Sequence, residues 1–132
     1  MPRRSRGIAS RKSGERASLG RRSNRGAVRT SYNGVVYASK SEASYARHLD
    51  LLVTAKRIKS WDGQVRVSLV VEGVKVCTMV PDFLVQHRNG TQEYVEVKGF
   101  ATPVYKLKRK LFEALFPNAT YTVVPAREAL AL

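Results

Sequence analysis

The order of apolar patterns along this 132-residue chain predicts an α/β protein, a mixed central sheet flanked by helices with core order α-β-β-β-α-β. Two segments, residues 39–54 and 102–116, carry a helical period behind recognisable start signals. Between them lie three runs of strand character, divided by turn residues at Glu72-Gly73 and Arg88-Asn89-Gly90. A short apolar run, Tyr121 to Val124, follows the second helix and supplies the last strand.

The first 30 residues have a different composition. They are mostly Arg, Ser and Gly, and ten Lys/Arg against Glu15 alone give them +9 of the chain's +14, leaving +5 for residues 31–132. Such a stretch cannot bury a core, so residues 1–30 are expected to form a flexible basic arm and 31–132 a single domain. A tail of one charge sign serves either solubility or a polyanionic partner. The uniformity of sign favours nucleic acid, with Arg3, Arg4, Arg6, Arg11, Lys12, Arg21, Arg22 and Arg25 as phosphate contacts. The single cysteine, Cys77, excludes an internal disulfide and fits a reducing cytoplasm. No run approaches the roughly 18 apolar residues of a membrane span. The basic start has no apolar segment after it, so it does not read as a secretory signal.

Within the domain, Tyr32-Asn33-Gly34 is a turn and Val35-Val36-Tyr37 an extended lead-in. Ser39-Lys40-Ser41-Glu42 fits a capping box and opens a helix to about Thr54, buried along Ala43, Ala46, Leu49 and Val53 and widened by Tyr45 and Leu52. Lys56 to Gly63 reads as a basic connection anchored by Ile58 and Trp61. Gln64 to Val71 alternates, with Val65, Val67, Leu69 and Val71 on one face. Lys75 to Gln86 is the second strand and carries Asp82. Glu93 to Lys98 is the third, with Tyr94, Glu96 and Lys98 on one face and Val95 and Val97 on the other. Thr102-Pro103 is an N-cap followed by proline at the first helical position. The stripe Val104, Leu107, Leu111 and Leu115 is expected to be buried, with Phe112 at its margin; Lys106, Lys108, Arg109 and Lys110 cover the other faces. Pro117-Asn118 ends this helix, and Ala126 to Leu132 forms one more turn or frays.

Two acids stand where buried strands prefer apolar side chains, and the turn between them decides whether they meet. A two-residue Asn89-Gly90 loop would set Asp82 opposite Val97. A three-residue loop with Gly90 left-handed pairs His87 with Thr91 and sets Asp82 across from Glu96. Facing carboxylates repel unless a cation lies between them, and oxygen ligands with retained waters suit magnesium or manganese. Lys98, on the Glu96 face, is placed to hold a phosphate or polarise an attacking water. His48, His87 and Cys77 show no zinc-ligand spacing. A glycine-rich phosphate loop and a nucleophile elbow are both lacking.

Pro81-Asp82 followed by Glu96-Val97-Lys98 resembles the signature of the PD-(D/E)XK nuclease superfamily. Around it, Tyr37-x-Ser39-Lys40-x-Glu42-Ala43, Gln64, and Thr102-x-x-Tyr105-x-x-Lys108 follow in an order that, from about Tyr32 to Pro117, resembles a small phage-borne endonuclease branch of that superfamily, similar to Holliday-junction resolvases. The resemblance implies a restriction-endonuclease-like fold and magnesium- or manganese-dependent hydrolysis of DNA phosphodiesters in the cytoplasm of a bacterial host. It implies metal ligation by Asp82, Glu96 and the Val97 carbonyl, with Lys98 activating water and Glu42 assisting. Glu42 has the cap as a second role open to it. Gln64 is either a site-facing hydrogen bonder or an ordinary strand-start residue. Lys108 and Lys106 match basic positions that grip phosphate. Relatives that resolve four-way junctions as dimers make branched DNA the first expected substrate, nicking the next, and a homodimer the expected assembly. The competing class is a non-catalytic basic protein that binds nucleic acid.

Overall fold

In the computed structural model of the chain, residues 27–132 are described. The arm residues Arg3, Arg4, Arg6, Arg11, Lys12, Arg21, Arg22 and Arg25 lie outside the described residues. The domain is mixed α/β, as the sequence predicts, and its central sheet is mixed as well. Strands run in the order β3 (Ser60–Gly63), β6 (Phe83–Gln86), β7 (Gln92–Lys98), β8 (Thr120–Pro125), antiparallel except for the parallel β7–β8 pair. The parallel pair requires a crossover, and helix α2 (Pro103–Leu115) supplies it.

Helix α1 (Lys40–Thr54) starts where the capping pattern places it. The Ser39 hydroxyl accepts from the Glu42 N–H at 3.2 Å. Its Ala43, Ala46 and Leu49 pack against Trp61, Phe83, Val85, Val95 and Val97 on one face of the sheet, joined by Ala129 of the terminal helix α3 (Ala126–Leu130). Asp50 ties this layer together. One of its oxygens accepts from the Tyr32 hydroxyl at 2.6 Å and the other from the Trp61 indole at 2.9 Å. Tyr32 belongs to a small ribbon, β1 (Thr30–Tyr32) with β2 (Val35–Tyr37), closed by Asn33 and Gly34, both at positive φ as a two-residue hairpin turn demands.

The other face carries α2 and a second ribbon, β4 (Val67–Val71) with β5 (Val74–Met79). Here the sequence expectations need correction. The segment 56–63 is not merely a connection: its second half is edge strand β3, and the buried Ile58 and Trp61 are the anchors expected. The expected strand 64–71 begins only at Val67, and the expected strand 75–86 is two strands. One long hairpin is broken in the middle, keeping its register from Gly63↔Phe83 before the break to Val67↔Met79 after it. Gln64 takes a positive φ of 55° on one side, and Pro81, without an N–H, interrupts the other.

Helix α2 is rotated from its expected orientation. Val104 and Leu107 are 65% and 69% exposed, while Phe112 is 1% exposed and packs among Tyr94, Tyr121, Leu69 and Met79. Leu111 and Leu115 do pack inward, beside Tyr105. The stripe one position along won because rings from β7 and β8 fill the space facing it.

Candidate active site

The break in the long hairpin delivers Asp82 to the end of β6. Its carbonyl accepts from the Gln64 N–H at 2.9 Å, so the two interrupted strands remain pinned to each other. Across the sheet the hairpin closes with the three-residue loop. The His87 N–H donates to the Thr91 carbonyl at 2.8 Å, and Gly90 takes a positive φ of 94°. The ladder pairs Phe83 with Val95, so one step further Asp82 stands opposite Glu96. The Asp82 carboxylate bends over β7, and its Oδ2 accepts the Val97 N–H at 2.8 Å. Val97 thus meets Asp82 through its N–H.

Both acids are 8% exposed. Burial pushes the Asp82 carboxyl well above the usual carboxylate range, and the charges of Glu42 and Glu96 push it further. The Val97 N–H and Lys98 offset only part of this. Burial also raises Glu96, while Lys98, the Tyr121 hydroxyl and the Asp82 N–H pull it back. Glu96 Oε2 lies 3.2 Å from the Lys98 ammonium, and its Oε1 accepts from the Tyr121 hydroxyl at 3.3 Å. The Tyr121 and Tyr105 hydroxyls are 3.2 Å apart, and the Lys98 ammonium sits 4.0 Å from the centre of the Tyr105 ring.

The structure therefore brings together Asp82, Glu96 and Lys98, with Glu42 near enough to act on Asp82 from the first turn of α1. Gln64 joins them through its backbone. The Lys108 ammonium donates to the Thr78 carbonyl at 3.0 Å and staples α2 to the ribbon. Lys106 is exposed on α2. Tyr105 and Tyr121 join the cluster although no site motif in the sequence marks them for it. Tyr105 lies within the Thr102-to-Lys108 pattern, but the position of Tyr121 depends on the β7–β8 register, which leaves no mark in the local sequence.

Among the described residues, no group of three or more His, Cys, Asp or Glu side chains is gathered as a metal cage. Magnesium does not require one. It keeps several waters and takes one or two carboxylates together with substrate oxygens. The two buried acids share the Lys98 ammonium, and Asp82 Oδ1 accepts no hydrogen bond among the described residues. That donor set fits a hard divalent cation.

A family model described as a protein of unknown function (DUF1064) matches residues 22–128. The chain belongs to that family. The match takes in every residue of the cluster and reaches into the basic arm. No curated protein and no solved structure matches the chain. No helix among the described residues is long and apolar enough to cross a membrane.

Proposed function

We propose that this protein is a metal-dependent DNA endonuclease of the PD-(D/E)XK type, with a restriction-endonuclease-like fold. The observation that carries the reading is the buried pair Asp82 and Glu96, facing across a hairpin with the Lys98 ammonium 3.2 Å from Glu96. Two adjacent buried carboxylates are costly unless a cation is recruited, and fold stability alone gives no reason to keep them.

Asp82 and Glu96 hold magnesium or manganese, with the Val97 carbonyl as a third oxygen. The bound ion supplies Lewis acidity, a more acidic water and charge neutralisation at the phosphate. Lys98 directs an N–H toward the attacking water or a phosphate oxygen and stabilises charge as it grows on phosphorus. Glu42, also the residue whose N–H meets the Ser39 cap, adds a third negative charge that acts on Asp82. The basic arm and Lys106 bring the DNA backbone to this cluster. A domain this small has little surface for reading sequence, which favours shape: branched or four-way-junction DNA first, nicking of duplex next, by a homodimer in the junction case.

The test incubates wild type, Asp82→Asn and Lys98→Ala with supercoiled plasmid and a synthetic four-way junction, with and without magnesium. Metal-dependent nicking or resolution by wild type only is expected. The +9 of residues 1–30 favours one other reading, a basic protein that binds nucleic acid without cutting it. In that case all three proteins bind equally and none cleaves. Equal cleavage by all three would expose a contaminant.

A further inference from the structure

We propose that Tyr105 and Tyr121 are positioning residues: the Tyr105 ring seats the Lys98 ammonium, and the Tyr121 hydroxyl holds Glu96, so that both strand residues keep one aim. The catalytic consequence rests on the endonuclease reading; the seat itself does not.

A lysine has a four-carbon stem and a point charge, so it needs external constraint to act in one direction. Beside a carboxylate it would settle into the ion pair and leave its remaining N–H groups unaimed. Lys98 meets two constraints at once, the Glu96 Oε2 at 3.2 Å and the face of Tyr105 with its centre 4.0 Å away. A cation over an aromatic face is attracted by the ring quadrupole at this range. Held on those two sides, the ammonium has a third side left for water or phosphate.

Both rings are fixed by groups outside the acid cluster. The Tyr105 N–H donates to the Thr102 hydroxyl at 3.1 Å, which locks Tyr105 into the capped first turn of α2. Tyr121 packs against Phe112 with ring centres 5.2 Å apart, and the Arg109 guanidinium lies over its ring at 5.3 Å. The hydroxyls of Tyr105 and Tyr121 meet at 3.2 Å, joining the two supports into one. The Tyr121 hydroxyl is the donor toward Glu96 Oε1, at 3.3 Å. β7 thereby takes its two site residues' orientation from α2 and β8.

The test separates the seat from its use. In metal-free protein, NMR of labelled lysine reads the Lys98 ε-methylene, which a ring face this close shifts upfield. The shift is expected in wild type and Tyr105→Phe and is expected to vanish in Tyr105→Leu. With magnesium and the cleavable DNA, Tyr105→Phe is expected to retain kcat within about threefold. Tyr105→Leu loses about 10²-fold in kcat, the scale of a misplaced catalytic group, with KM unchanged. Tyr121→Phe falls between them, with thermal stability of all three followed in parallel. A wild-type Lys98 methylene without the upfield shift overturns the proposal, whether or not Tyr105→Leu folds. So does a folded Tyr105→Leu that cleaves at the wild-type rate. Wild type that never cleaves removes the endonuclease reading instead, and the lysine resonance then decides the seat by itself.

Discussion

Asp82 stands opposite Glu96 at the end of a hairpin, and the Val97 N–H on the neighbouring strand bonds its Oδ2 at 2.8 Å. The arrangement is electrostatically unfavourable without a partner cation, and most of the measurable behaviour of the protein follows from that.

Asp82→Asn keeps the shape and an oxygen for the Val97 N–H while removing one buried negative charge. We expect it to stabilise the metal-free protein by on the order of 1 kcal/mol in urea unfolding, as relief of strain at functional sites commonly does, while ending cleavage. A destabilised Asp82→Asn would mean that the charge itself supports the fold.

Stability should fall as pH rises. Asp82 and Glu96 both have native pKa values above those of the unfolded chain, so the native state binds more protons between the two values. The contribution is fully present below the ordinary carboxylate range of about 4 and is lost as pH climbs through the raised native values. Urea midpoints of metal-free protein across this window should decline toward neutrality, with a flatter profile in Asp82→Asn. An increase with pH in wild type would contradict the assignment.

Magnesium or manganese should stabilise the native state by linkage, by about 2.7 kcal/mol at a concentration 100 times Kd. Calcium tests charge compensation apart from cleavage. Thermal unfolding with and without each ion reads the effect directly, and Asp82→Asn should show none of it. A wild-type Tm indifferent to all three ions would remove the metal from the site.

The rotated face of α2 gives a contrast within one helix. Phe112→Ala should cost about 3–5 kcal/mol, the usual penalty for emptying a buried aromatic position. Leu107→Ala, 69% exposed in wild type, should stay within about 0.5 kcal/mol. Chemical denaturation of both variants reads the difference, and equal losses would restore the orientation inferred from periodicity.

What could be read in advance was local. The Ser39 and Thr102 caps are set by side chains within three residues of the groups they satisfy, and both form where the sequence places them. The opposition of Asp82 and Glu96 follows from counting through Arg88-Asn89-Gly90 once a left-handed Gly90 is allowed. Longer-range features were hidden. Nothing around Gln64 announces a positive φ, because it is stabilised by pairing with the Asp82 backbone 18 positions away. On α2, the stripes through Val104 and Tyr105 differ by one residue, and rings of Tyr94 and Tyr121 decide between them. The same distance concealed Tyr121 as a neighbour of Glu96, since β8 arrives only after the crossover.

That crossover sets an order of assembly. Asp82 and the Val97 N–H are 15 residues apart and are joined by a hairpin, which closes on the microsecond scale. Tyr121 is 25 residues from Glu96 and reaches it only when the parallel strand docks, a slower event with a larger loop to close. During folding the two carboxylates therefore meet before the residue that steadies one of them has docked. The least supported moment in the life of this cluster is its birth. Stopped-flow refolding should show Val85→Ala slowing folding and Val123→Ala mainly hastening unfolding; the reverse pattern would mean that the parallel pair nucleates the sheet.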